Sequence, residues 1–72
     1  MEIDMTSSKF KIAVLAAVHT ATHGTDAQIA VLETLYECSL STHIDNLWDE
    51  ALERGDTRSA AQLERAYNHL TR

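Results

Sequence analysis

Between Lys9 and Thr22 the chain is apolar around most of the circumference of a helix. Phe10, Val14, Ala17, Val18 and Ala21 share one helical face, and Ile12, Leu15, Ala16 and His19 lie on another. A helix of this kind must be covered on more than one side. A strand is the competing reading for Phe10–Leu15, but Ala13, Ala16, Ala17 and Ala21 favour a helix. The difficulty is size. A chain of 72 residues makes one domain at most. A domain this short buries only about 60% of the surface its unfolded chain exposes. Further short helices in the same chain cover only part of so apolar a segment, and a second copy covers the rest. The sequence therefore predicts a homodimer, with Phe10, Val14, Ala17, Val18 and Ala21 at the dimer or partner interface. The competing occupant of that face is a helix of another protein.

The rest of the chain reads as helix and turn. Residues 1–8 form a mobile lead-in that includes a second potential start at Met5, and residues 9–72 form a single helical domain. Gly24 stands where a helix-terminating glycine of positive φ belongs. Thr25-Asp26-Ala27-Gln28 is a capping box that opens a second helix, whose inner face is Ile29, Leu32, Leu35 and Tyr36. Ser39–Thr42 is ambiguous. It reads either as a break, with Ser41 or Thr42 capping a third helix and Asp45 completing the box, or as part of one helix from Asp26 to Arg54.

Ile44, Leu47, Trp48, Ala51 and Leu52 follow the helical repeat without a fault, opposite Asp45, Asn46, Asp49, Glu50 and Glu53. Arg54-Gly55-Asp56 ends this helix and caps the next. The last helix carries the stripe Ala60, Leu63, Tyr67 and Leu70. The fold class is all-α: a small, dimeric bundle of three to four helices with a C-terminal αα-hairpin.

Charge narrows the partners. Eleven acidic residues against six basic ones leave a formal charge of −5. Attraction to nucleic acid should be weak. No run of about 20 apolar residues exists to cross a membrane. The stretch from Met5 also makes a poor signal peptide, because its apolar core spans only Ile12–Val18 before His19 interrupts it. The expected location is the cytoplasm.

Three features suggest a chemistry, and each has a structural alternative. His19 and His23 stand four apart on one helical face, which is half of a zinc site and makes a metal-binding helical protein the second alternative; further ligands would have to come from Cys38, His43, His69 or a carboxylate, and no CxxC or HExxH accompanies the pair. Their simpler role is at the negative end of the helix dipole. Cys38 offers a thiol, but a lone Cys on a helix flank normally packs as a small hydrophobe. No catalytic residue, cofactor site or metal site is assigned, and no enzyme activity is expected. The second and third helices also suggest a helix-turn-helix. Its reading helix would then present Asp45, Asp49, Glu50 and Glu53 to phosphates, so DNA binding is the alternative, carried by Arg58, Arg65 and Arg72.

The favoured reading is a non-catalytic protein–protein interaction module. It would be a small regulatory or inhibitory protein, of the accessory type carried by phages, plasmids or compact operons. Its target would be a larger protein with a basic surface, such as a transcription regulator or an ATPase. Asp45, Trp48, Asp49, Glu50, Glu53 and Tyr67 are the expected partner-binding residues, with Trp48 and Tyr67 as aromatic anchors.

Overall fold

A computed structural model describes residues 5–71, which form four helices and, among the described residues, no strand. They are α1 (Met5–His23), α2 (Asp26–Tyr36), α3 (Leu40–Glu53) and α4 (Thr57–Leu70). The first helix starts at Met5, so it takes in residues 5–8 of the expected lead-in. Positions 1–4 lie outside the described residues.

Each boundary has a local cause. At the end of α1, the Gly24 N–H donates to Thr20 O over 3.0 Å. A Cβ on Gly24 would stand 2.5 Å from that oxygen, so the glycine is required by close approach. The positive φ expected of it belongs to Gly55 alone among the glycines. The capping box of α2 is complete: Thr25 Oγ1 accepts from Gln28 N–H at 3.2 Å, and Gln28 Oε1 accepts from Thr25 N–H at 2.9 Å.

The chain does break between α2 and α3, but earlier than Ser41 or Thr42. Glu37 takes a left-handed conformation (φ 56°) and ends α2 without a glycine. Ser39 then caps α3, accepting from Thr42 N–H at 3.3 Å. Asp45 has no part in this cap. Instead Glu33, from α2, accepts the Leu40 N–H at 2.8 Å and ties the two helices across the break. Between α3 and α4, Gly55 (φ 72°) and Asp56 return hydrogen bonds to Leu52 O and Ala51 O, the double closure of a Schellman motif. Asp56 then caps α4 through Ser59 N–H at 3.1 Å and the Ser59 hydroxyl at 2.6 Å.

The core is built by three helices. α1 supplies Phe10, Val14, Ala17 and Ala21; α3 supplies Leu40, Ile44, Leu47 and Ala51; α4 supplies Ala60, Leu63 and Ala66. Alanines on all three allow the helix backbones to approach closely. α2 has no buried residue, and its hydrophobic contribution to this core is the partly buried Ile29 and Leu32. The bundle measures 41 × 21 × 19 Å.

This arrangement corrects the assignment of Phe10, Val14, Ala17, Val18 and Ala21 to an interface. Four of them are buried in the chain's own core, and Val18 is half-buried against it. The opposite face is the open one: Ile12 is 66% and Leu15 65% exposed. The segment does have more apolar surface than the chain covers, but the surplus faces the other way. Two other stripes rotate slightly. Leu52 (48% exposed) gives up its inner place on α3 to Leu40 and His43, and Tyr67 (39% exposed) yields to Ala66 on α4.

Candidate partner-binding surface

Where α3 crosses α4, an open cleft of about 260 Å³ lies over the fully buried Ile44 and Leu63. Trp48, which is half-buried, and the exposed Tyr67 line it. Asp45 from α3 and Glu64 and Asn68 from α4 supply its polar groups. The arrangement follows from helical spacing. Asp45 and Trp48 are three apart on α3, as are Glu64 and Tyr67 on α4, so each helix presents a carboxylate beside an aromatic ring.

The cleft opens onto the acidic face of α3. Asp45, Asp49, Glu50 and Glu53 are all exposed. Among the described residues the only ion pair is Arg54–Glu50 at 3.4 Å. Asp45, Asp49, Glu53 and Glu64 therefore have no cationic partner there. Arg54 also stacks its guanidinium over the Phe10 ring, 4.5 Å from the centroid, which holds the end of α3 against α1. Of the six residues expected to bind a partner, the structure thus joins Asp45, Trp48 and Tyr67 in one cleft and leaves Asp49, Glu50 and Glu53 on the adjoining face.

Glu64 and Asn68 were not singled out from the sequence. The usable signal was the spacing of Glu64 three residues before Tyr67 and four before Asn68, which the stripe Ala60-Leu63-Tyr67-Leu70 obscured by placing Tyr67 inside. From the sequence His43 was only a possible further zinc ligand, and its burial was not foreseen. It is buried and stacks on Tyr36, with ring centroids 3.9 Å apart and planes 18° from parallel. Burial lowers its pKa from the ordinary 6.5, because the charged imidazolium would lose hydration. Its position between Leu40 and Ile44, on the inner face of α3, was the available clue.

The other candidate sites are sparse. The His19 and His23 rings lie 5.5 Å apart and tilted, but no third His, Cys, Asp or Glu joins them among the described residues. Cys38 is a half-buried free thiol in a shallow hollow with Ala30, Glu33, Thr34 and Ser39, and no histidine lines it. On α4, Arg58 and Arg65 are exposed, and Arg58 shares a second groove with Lys11, Leu15 and Asp56. Position 72, the third arginine of the DNA-binding alternative, lies outside the described residues. The Ser59 hydroxyl and backbone N–H hold the Asp56 carboxyl below its ordinary pKa. No described helix is long and apolar enough to cross a membrane.

Two apolar surfaces remain open. One is Ile12 and Leu15 on α1. The other is Val31 (65% exposed) and Leu35 (68%) on the outer side of α2, where Ala30 and Thr34 complete a shallow hollow. No family model, curated protein or solved structure matches the chain.

Proposed function

We propose that the chain is a non-catalytic protein–protein interaction module: a small cytoplasmic regulatory or inhibitory protein, of phage, plasmid or operon type, that binds a larger protein through that protein's basic surface. The observation that carries this reading is the acidic face of α3, on which Asp45, Asp49 and Glu53 have no ion-pair partner among the described residues, beside an aromatic cleft. Like charges gathered on one helix repel each other in the free protein, and a basic surface relieves that repulsion. Trp48 and Tyr67 give such an encounter an apolar anchor. A transcription regulator or an ATPase, whose phosphate-binding surfaces are basic, is the expected target class. The same acidic face opposes a helix-turn-helix mode of DNA binding, in which α3 would approach phosphates; a mode through α4 has Arg58 and Arg65 in its favour. The metal-binding alternative has only the His19–His23 pair in its favour.

The test is affinity capture from source cells with the wild type and with the Asp49→Lys/Glu53→Lys variant. The expected result is a stoichiometric protein that the wild type retains, that salt of about 0.5 M releases, and that the variant fails to hold. Equal capture by both, or none by the wild type, would refute the reading.

A homodimer forms a second part of the proposal, favoured by the open apolar side chains. Its interface is the outer surface of α1 (Ile12 and Leu15), since the face first assigned is occupied by the chain's own core.

A further inference from the structure

We infer that the cleft between α3 and α4 is a receptor for one arginine side chain of the partner. This rests on the partner-binding reading of the surface and specifies what enters it. Size comes first. Pockets for small molecules and cofactors occupy about 300–1,000 Å³ and enclose most of the ligand. This one is about 260 Å³ and open, which suits a single anchoring side chain.

Chemistry selects the side chain. Ile44 and Leu63 beneath it are 0% exposed, so its accessible apolar walls are Trp48 and Tyr67, and whatever lies against them needs an apolar stem. Trp48 and Tyr67 supply aromatic surface, which attracts a cation over its face. Asp45 and Glu64 bring one carboxylate from each helix, and neither has an ion-pair partner among the described residues. An arginine meets all three conditions. Its methylenes pack along the apolar walls, its planar head stacks on aromatic rings, and its five N–H donors reach carboxylates on two sides. Lysine fits less well, because a compact, strongly hydrated ammonium neither stacks nor forks.

Trp48 is the only tryptophan in the chain, so its fluorescence reports on the cleft. The probe is the peptide acetyl-Ala-Ala-Arg-Ala-Ala-amide, titrated beside its citrulline counterpart, which keeps the shape and loses the charge. The expected result is a saturable change with the arginine peptide in the millimolar range. Binding should weaken at least about tenfold with citrulline, and by a similar factor for the Asp45→Asn/Glu64→Gln variant. Both substituted residues are exposed, so the variant's melting temperature should not move. Saturation by citrulline within twofold of arginine, or no saturation by about 20 mM arginine peptide, overturns the inference. Capture that depends on Asp49 and Glu53 while the peptide fails would leave the acidic-face reading standing without the cleft. Saturation by the arginine peptide with no captured protein would do the reverse.

Discussion

Replacing Ile12 and Leu15 with glutamine should abolish self-association and leave the monomer's fold intact. Each side chain is about two-thirds exposed in the single chain (66% and 65%), so a dimer interface has that fraction left to bury. Complete burial of an aliphatic side chain contributes about 1.5–3 kcal/mol, so two-thirds of it contributes about 1–2 kcal/mol. In a symmetric dimer each substitution counts twice, which gives about 4–8 kcal/mol for the pair. At about 1.4 kcal/mol per tenfold, the dimer dissociation constant should rise by a thousandfold or more. Sedimentation equilibrium between about 1 and 300 μM reads this directly against the 8.0 kDa chain mass. The wild type should approach twice that mass, and the variant should stay at it, with an unchanged thermal midpoint. Val14→Gln is the contrasting control. Val14 is 2% exposed, so its substitution should lower the thermal midpoint by placing an unpaired amide in the core. A wild type that is monomeric throughout, or a double variant that dimerises like the wild type, refutes the reasoning.

Leu63→Ala, at a position with 0% exposure, should cost about 2–5 kcal/mol out of the roughly 4–11 kcal/mol expected for a domain this size, as read by urea denaturation. His43→Phe should keep the stacking on Tyr36 and remove a titration. Because the folded-state pKa of His43 is lowered, the unfolded chain takes up its proton first. The wild type should therefore lose stability as pH falls below 6.5, and the variant should lose less, in thermal melts across pH 7.5–5. Asp56 has its pKa lowered by Ser59, so its stabilising effect is present above 3.8 and disappears as pH falls through the folded value. Asp56→Ala should melt earlier than the wild type at pH 7, and the gap should close at pH 2. Gly55→Ala, with φ 72° and open space around it, should cost about 1 kcal/mol by backbone strain alone.

Local signals in the sequence marked most of the architecture. The Thr25-Gln28 capping box and the Gly55-Asp56 junction act within a few residues, and both form as their side chains dictate. The all-helical class follows from repeats of three and four residues. Where a boundary lacked a specific local signal, the reading slipped. Glu37 takes a left-handed cap that a glycine or asparagine would normally announce, and so α2 ends before Ser39 rather than after it. Of the proposed partner-binding surface, the acidic face and Trp48 were legible, since both ride on one helix. The cleft was not, because Glu64 and Asn68 reach it from a second helix.

By itself, the sequence determined that three or four helical segments exist, where most of them are capped, and that the first has more apolar surface than a single contact can cover. Only the tertiary structure decided which side of that helix is inside. Helical periodicity groups Phe10 with Val14 and Ile12 with Leu15, but it is indifferent between the two groups. The choice is made by distant partners: Arg54 stacks on Phe10, and the alanines of α3 and α4 let α1 settle closely on that side. Packing over such separations has no local signature. It turned the expected interface into core and left Ile12 and Leu15 outside.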